Sequence, residues 1–221
     1  MKTPQLNEPD IALVHDESGE VTLYIDDVQA MQGWEKSLMW RSADLLCERG
    51  GEFLEVGLGL GYSALRIAGR ADTYRHTVVE KYPKVVELFH AANPEPPATL
   101  EIVQADFFDF VDRLQPDSYD GVFFDPELPK ALFEDRRLLD EFMPKVVRAL
   151  RRGGTFVPMF SLDGDVPDAA TCTASAAVML DRYLRFFDRV LVERHKYHAY
   201  ANTAYTPAQQ GDAFILCFTK D

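Results

Sequence analysis

Apolar runs of strand length recur along this chain, separated by stretches in which apolar residues return every three or four positions. The first pattern is typical of buried strands and the second of helices with one buried face. The predicted strands are residues 11–14, 21–25, 53–57, 76–80, 100–103, 119–125, 155–160, 189–195 and 213–219. Because strands and helices alternate, we expect a mainly parallel sheet with helices on both faces.

Helical spacing falls between these strands. The predicted helices are residues 27–48, 62–70, 83–92, 107–114, 136–150 and 169–187. Gly153-Gly154 is predicted to turn the chain before the strand at 155–160, and Pro158 weakens the second half of that strand because proline cannot donate to a ladder.

These elements predict an α/β, Rossmann-like fold. We expect a seven-stranded, mostly parallel sheet with helices on both faces and an antiparallel last strand. Residues 1–50, a hairpin and a helix, would form a lid or substrate cap, and residues 51–221 the core. Ligands of such sheets bind at the carboxyl ends of the strands.

Composition limits the partners. The 221 residues carry a formal net charge of −13, which repels phosphate backbones and makes nucleic acid an unfavourable partner. We expect a small cationic or zwitterionic substrate, although the acidity also serves solubility.

The cysteines and the start of the chain bear on location. Cys47, Cys172 and Cys217 are widely spaced in apolar surroundings, with no disulfide framework or zinc spacing, so we expect reduced cysteines and no metal. The polar start and the lack of a membrane-spanning apolar run predict a cytoplasmic protein with no membrane partner. A homodimer is possible.

The segment Leu54-Glu55-Val56-Gly57-Leu58-Gly59-Leu60-Gly61-Tyr62 joins a strand to a helix through three glycines. Such glycines allow a sharp turn and close approach of a ligand. Glu80, nineteen residues after Gly61, ends the next strand, where an acid can accept bonds from two ribose hydroxyls. Tyr62 replaces the glycine of the dinucleotide pattern, which favours S-adenosylmethionine (SAM) over NAD.

Five motifs resemble class I SAM-dependent methyltransferases over about residues 30–220. They are 54–61, Glu80, Gln104-Ala105-Asp106-Phe107, 120–125 and 150–154. The resemblance implies that the glycine turn packs against the methionine part of SAM, that Glu80 binds ribose, and that Asp106 and Phe107 contact adenine. Asp106 is also a suitable N-cap for the following helix. Flanking positions assigned with these to the cofactor site are Glu55, Tyr62, Lys81 and Asp125.

A narrower resemblance links the chain to guanidinoacetate N-methyltransferase and the related arginine N-methyltransferases. It rests on the segment 32–39, which includes Trp34-Glu35, on 76–80, and on Phe123-Phe124-Asp125-Pro126. In that family, the Trp-Glu glutamate and the carboxylate after the fourth strand both hold the guanidine, which implies this role for Glu35 and Asp125. The chain departs from the family at Pro126-Glu127-Leu128-Pro129 and around Phe160-Ser161-Leu162.

The chemistry explains why two carboxylates are needed. Methyl transfer is an in-line displacement that depends on orienting a nitrogen lone pair, and the lone pairs of a guanidinium are delocalised. Asp125 would hydrogen-bond the attacking nitrogen and take its proton, while Glu35 would pair with the cation. On a helix, however, Glu35 would commonly be solvated.

Several further residues are candidates for substrate contact. Trp34 stacks on the cation or belongs to the core. Glu127 would be a third acid for a cationic substrate, and Ser161 would contact the substrate. Asp163 and Asp165 bind an amine or cap the next helix. His195 and His198 either reach the site from the lid side or form an exposed pair, and we expect the exposed pair.

The sequence leaves other functions open. The hairpin before the core also resembles the start of spermidine synthases, which implies aminopropyl transfer to an amine. A methyltransferase with an acceptor other than guanidine, and a non-catalytic SAM-binding module, are the other two. Asp125-Pro126 resembles the Asp-Pro-Pro-Tyr motif of base methyltransferases, but Glu127 and Leu128 replace its last two residues.

Overall fold

The structure, a computed structural model, describes residues 9–17, 19–162, 175–206 and 208–221. Asp163, Asp165, Cys172 and the first part of the predicted helix at 169–187 lie outside these residues. Within the described residues Cys47 and Cys217 are buried free thiols.

Strands make up two sheets in the described part of the chain. In chain order they are β1 (Ile11–His15), β2 (Val21–Ile25), β3 (Val28–Gln32), β4 (Gly51–Val56), β5 (Thr73–Glu80), β6 (Leu100–Gln104), β7 (Tyr119–Phe124), β8 (Leu150–Pro158), β9 (Ser161–Leu162), β10 (Arg189–His198) and β11 (Gln210–Thr219).

Helices connect most of these strands. They are α1 (Lys36–Leu46), α2 (Tyr62–Ala68), α3 (Pro83–Ala92), α4 (Phe107–Phe110), α5 (Lys130–Glu134), α6 (Arg136–Ala149) and α7 (Ala176–Tyr183). Short 3-10 turns cover Gly33–Glu35, Val111–Arg113 and Leu184–Phe186.

The large sheet has the order β10-β11-β8-β7-β4-β5-β6. Strands β4 to β8 pair in parallel, and β10 and β11 are antiparallel, as the sequence predicts. The sheet has eight strands rather than seven, because β9 pairs with β11 through Ser161 and Phe214. β8 ends at Pro158, which lacks the N–H that a longer ladder needs. The Rossmann-like α/β fold is confirmed.

Alternate residues of the strands pack on opposite faces of the sheet. Phe53 and Phe123 belong to one apolar core, whereas Leu54 and Phe124 belong to the other. Because successive strand residues point to opposite faces, continuous apolar runs suit a sheet that is buried on both sides.

The predicted N-terminal hairpin and the helix after it are present, but a third strand, β3, extends the hairpin into a three-stranded antiparallel sheet before α1. Asp26 and Asp27 have φ values of 49° and 62°, so they form a two-residue turn that returns the chain as β3. The predicted helix at 27–48 is therefore wrong in its first part, since α1 begins at Lys36. Aspartate tolerates positive φ better than most residues, because its side chain hydrogen-bonds locally.

Two further boundaries differ from the prediction. Gly153 and Gly154 lie inside β8 as an irregularity, with Gly153 at φ 77°, rather than before the strand. The helix at 107–114 consists of α4 and a 3-10 turn, and α5 is an element that the sequence pattern did not reveal.

None of the helices in the described part of the chain combines the length and apolar character needed to span a bilayer.

Candidate active site

A cavity of about 260 Å³ lies at the carboxyl ends of β4 to β8. Each of these strands contributes residues at or just after its last position, as expected for an open parallel sheet. The N-terminal segment forms another wall, with Leu23, Ile25, Ala30, Met31, Glu35 and Met39. The cavity is thus enclosed by the core and by the segment that precedes it.

The glycine turn forms the floor of the cavity beside β5. Gly57 and Gly59 line the cavity, whereas Gly61 and Tyr62 do not. The Gly57 N–H donates to the Val79 carbonyl at 3.0 Å, which holds the turn against β5. Met31 packs on the turn from β3, and its sulfur lies 3.2 Å from the Leu60 nitrogen.

Glu80 lines the cavity and is only 5% exposed. Its Oε2 accepts a bond from the Leu58 N–H at 2.8 Å, and its Oε1 accepts one from the Tyr82 N–H at 2.8 Å. Burial raises the pKa of Glu80, although these backbone bonds act in the opposite direction. A carboxylate has about four acceptor positions, so capacity remains for a ligand's hydroxyl groups.

Asp106 both caps a helix and lines the cavity. Its Oδ1 accepts a bond from the Phe108 N–H at 2.9 Å, and its Oδ2 lies 3.0 Å from the Lys81 Nζ. Phe107 and Lys81 line the cavity beside it. The capping role therefore leaves Asp106 available at the cavity wall.

Asp125 and Glu35 come from distant parts of the sequence and line the same cavity. Burial, with a smaller effect of the Glu55 carboxylate, raises the pKa of Asp125 to about 7. Glu35 is 6% exposed, and its Oε1 accepts the Gln32 N–H at 2.5 Å. Burial and the negative charge of Asp125 raise the pKa of Glu35 well above its ordinary value, against the Gln32 bond. Perturbed carboxyl groups that share a cleft are typical of functional sites.

Glu127 is a third carboxyl group in the cavity. It is half-buried, and burial raises its pKa, with Lys81 lowering it and Asp26 raising it further. Asp125 and Glu127 follow β7, and Glu35 comes from the N-terminal segment. The cavity therefore has three acids that favour a cationic ligand.

Tyr205 and Phe160 form an aromatic wall of the cavity, and Trp34 lies behind it. The Trp34 ring is 6.1 Å from that of Phe160, 5.6 Å from Tyr197 and 6.5 Å from Tyr205. Its Nε1 donates to the Gln32 side chain at 2.9 Å. Trp34 thus supports the wall and does not itself line the cavity.

Two glutamines of β3 fix the connection between β10 and β11. The Ala204 N–H donates to the Gln29 Oε1 at 2.7 Å, and the Gln32 Nε2 donates to the Asn202 Oδ1 at 3.0 Å. The Tyr205 hydroxyl lies 3.4 Å from the Gln29 carbonyl oxygen. These bonds place Tyr205 in the cavity, a position that no local pattern in the sequence marked.

Glu55 lies outside the cavity lining. It is 1% exposed, accepts a short bond from the Ser63 hydroxyl, and its Oε2 lies 3.0 Å from the His76 Nε2. Ser161 is fully buried in β9 and does not line the cavity either. Glu55 therefore influences the site through its charge on Asp125 rather than by lining it.

The two histidines on β10 do not line the cavity. His198 is exposed, whereas His195 is half-buried and its Nε2 lies 2.6 Å from the Glu193 carboxylate.

The lining fits the parts of SAM. Glu80 presents a carboxylate suited to a ribose diol, and Phe107, Tyr82 and Leu128 present apolar surface suited to a flat base. Gly57 lies so close to the backbone that follows β7 that an added Cβ would stand 2.5 Å from the Asp125 carbonyl oxygen.

A family model supports this interpretation. The model described as guanidinoacetate N-methyltransferase matches residues 10–158, about two thirds of the chain. The chain belongs to this family. It is a SAM-dependent methyltransferase with SAM as its cofactor.

Solved structures show the same fold at low sequence identity. Spermidine synthase from Thermotoga maritima aligns with a TM-score of 0.69 and 14% identity, covering 100% of this chain and 72% of that chain. The N-methyltransferase NodS from Bradyrhizobium japonicum WM9, solved with S-adenosylhomocysteine, aligns with a TM-score of 0.61 and 16% identity, covering 85% of this methyltransferase and 88% of NodS. A probable spermidine synthase from Corynebacterium glutamicum ATCC 13032 has a TM-score of 0.63 and 17% identity, with 96% and 77% covered. No curated protein sequence matches the chain.

Gly57→Ala is expected to destabilise this methyltransferase by more than about 2 kcal/mol. The residue has φ 89°, which costs a side chain roughly 1–2 kcal/mol, and the added Cβ would also meet rigid backbone of Asp125. Gly19→Ala is a matched control, because Gly19 has φ 85° but nothing within 4 Å of an added Cβ. Urea unfolding measures the loss of stability in both variants. If the two losses are equal, the contact of the added Cβ with Asp125 contributes nothing.

Proposed function

We propose that this methyltransferase methylates a nitrogen of a small guanidino or amino compound, held between Glu35 and Asp125. The observation that carries the proposal is the presence of both carboxyl groups in one cavity beside the glycine turn. The family match is consistent with this acceptor class.

In this proposal, SAM binds at the end of the cavity near Glu80 and the glycine turn. Bound SAM supplies a methyl group on a positively charged sulfur. Glu80 accepts hydrogen bonds from ribose, Gly57 and Gly59 allow the close approach of the methionine part, and Asp106, Lys81 and Phe107 surround the base.

The acceptor occupies the cavity beside β7. Asp125 accepts a hydrogen bond from the reacting nitrogen and takes its proton on a carboxylate oxygen, which leaves a lone pair for transfer. Glu35 pairs with the cation and fixes its plane. Glu127 adds negative charge to the same end of the cavity.

The N-terminal segment is proposed to act as the substrate cap. Met31 contacts the glycine turn, and Glu35 and Met39 line the cavity from the same segment. By covering the site, the segment excludes water from the reacting groups.

A screen of guanidino and amino compounds tests the proposal, with guanidinoacetate and free arginine included. S-adenosylhomocysteine release is measured, and the mass of each product shows whether a nitrogen gained a methyl group. Glu35→Gln should raise KM for the best acceptor by about tenfold or more with a smaller change in kcat, because it removes a charge pair present before the reaction. If S-adenosylhomocysteine binds tightly but no compound in the screen is methylated, the proposal is wrong.

Aminopropyl transfer is a second candidate. The observation in its favour is that the Thermotoga maritima spermidine synthase covers the whole of this chain, including the N-terminal sheet. Decarboxylated SAM with a diamine distinguishes the two reactions, since aminopropyl transfer releases methylthioadenosine and methyl transfer from SAM does not.

A further inference from the structure

The charges that line the cavity are strongly unequal. Among the described residues, the lining includes five acids and one base. The acids are Glu35, Glu80, Asp106, Asp125 and Glu127. The base, Lys81, already pairs with Asp106 at 3.0 Å. A ligand that brings a further carboxylate would therefore enter a cavity rich in negative charge.

The acceptor end of the cavity is set by the order of the strands. Glu80 ends β5 and Asp106 follows β6, on one side of β4, while Asp125 and Met159 follow β7 and β8 on the other side. If the nucleoside binds beside Glu80 and Asp106, the acceptor must bind beside Asp125 and Met159.

Apolar side chains complete this end. Met159 and Phe160 follow β8, Tyr205 lies near Asp125, and Phe133 and Tyr183 line the same cavity. None of these side chains carries a charge at neutral pH. A carboxylate buried here would lose hydration without gaining a cationic partner, which is costly. An alkyl or aromatic group, in contrast, gains by leaving water.

Arg182 is a buried cation that packs against the rings of Phe133 and Tyr183. It is 5% exposed, donates a short bond to the Phe133 carbonyl, and its guanidinium lies 4.2 Å from the centre of the Phe133 ring. Arg182 itself does not line the cavity, although the rings of Phe133 and Tyr183 do.

We infer that the acceptor carries its guanidine or amine on a neutral apolar body and has no carboxylate. This rests on the proposed function and narrows it. The carboxyl groups of Glu35, Asp125 and Glu127 hold the cationic head, and the wall of Met159, Phe160 and Tyr205 holds the body. Guanidinoacetate, which is a zwitterion, would on this inference be a poor acceptor for this member of the family.

Matched pairs of ligands test the inference. Ethylguanidine is compared with guanidinoacetate, and pentylguanidine with 5-guanidinopentanoate, by calorimetry on the full chain saturated with S-adenosylhomocysteine. The alkylguanidine of each pair should bind at least about tenfold tighter, and affinity should rise by a few-fold per added methylene. The methylation rates of the same four compounds should follow the same order.

A charge introduced into the wall gives an independent check. Leu132 lines the cavity but is 40% exposed, so the protein should tolerate Leu132→Arg. Because the added guanidinium can pair with a carboxylate, the preference for alkylguanidines over guanidino acids should fall by about tenfold. Leu191→Arg is the control, because Leu191 is 52% exposed on β10 and outside the lining.

The outcomes separate the two proposals. If the guanidino acids bind as well as or better than the alkylguanidines, the inference is overturned while the proposed function stands. If Arg182→Met then no longer binds guanidinoacetate or 5-guanidinopentanoate, Arg182 is the partner of their carboxylates. If neither series binds or is methylated although S-adenosylhomocysteine binds, the inference fails, and the proposed function fails as well when the amino compounds of the screen are not methylated either.

Discussion

Asp125→Asn is expected to lower kcat by about 10²–10⁴ while the affinity for S-adenosylhomocysteine changes by no more than a few-fold. Asparagine keeps the size of the side chain and one acceptor oxygen but cannot take a proton. The backbone of residue 125, whose N–H donates to the Val56 carbonyl at 3.0 Å, is unaffected by the change. Single-turnover rates and calorimetry on the same preparation measure the two quantities.

Asp181→Asn is a suitable control for this substitution. Asp181 is an exposed residue that pairs with Arg136 on the surface, away from the cavity. The same chemical change there should leave both kcat and affinity as they are. Nearly full turnover by Asp125→Asn would mean that the acceptor needs no base or that Glu127 supplies it.

The pH dependence offers a further test of the same residue. The pKa of Asp125 is about 7, so kcat/KM, which reports the free enzyme, should rise as pH increases through 7. A bound cation favours the ionised form, so the corresponding rise in kcat should occur at lower pH.

The free energy of unfolding of the ligand-free protein should fall over the pH range in which kcat/KM rises. A carboxyl group whose pKa is raised by folding binds its proton more tightly in the native state, so its ionisation destabilises the fold as pH increases from about 4 to 7. Asp125→Asn removes this effect, and its melting temperature at pH 8 should equal or exceed that of the wild type.

Glu80→Ala is expected to weaken S-adenosylhomocysteine binding by about ten- to a hundredfold. Loss of a hydrogen bond to a charged acceptor costs about 1.5–3 kcal/mol. Part of the loss comes from the protein itself, because Glu80 also accepts the N–H groups of Leu58 and Tyr82. Calorimetry measures the total effect.

A ligand change separates the two contributions of Glu80. The wild type should bind S-adenosylhomocysteine more tightly than its 2′-deoxy analogue, because the analogue lacks one ribose hydroxyl. Glu80→Ala should bind both equally. A variant that keeps the full preference for the natural ligand would show that Glu80 only holds the glycine turn.

The sequence by itself determined the parts of the site that follow a strand. Glu80 and Asp125 end apolar runs, and Gly57 and Gly59 follow one. Parallel strands bring their carboxyl ends to one edge, so local periodicity was sufficient to place these residues together. The same reasoning predicted the parallel order of β4 to β8 and the antiparallel pair β10 and β11.

Local patterns failed where turns or distant contacts decide the outcome. β3 was read as helix because Asp26-Asp27 is an uncommon two-residue turn, and its side chains gave no glycine signal. For Trp34 the sequence left two positions open, on the substrate or in the core, and packing against Tyr197 and Phe160 places it behind the wall. Glu55 matched a motif position, yet its contacts with Ser63 and His76 keep it out of the lining.

Only the tertiary structure joined the two ends of the chain at the cavity. Gln29 holds Ala204 across 175 positions of sequence and thereby places Tyr205 beside Glu35 and Asp125. Sequence periodicity reports which face of an element is buried, because burial repeats with the pitch of that element. Sequence periodicity does not show which distant element covers that face. The covering element depends on complementary shape and on hydrogen bonds that form only when the chain has folded.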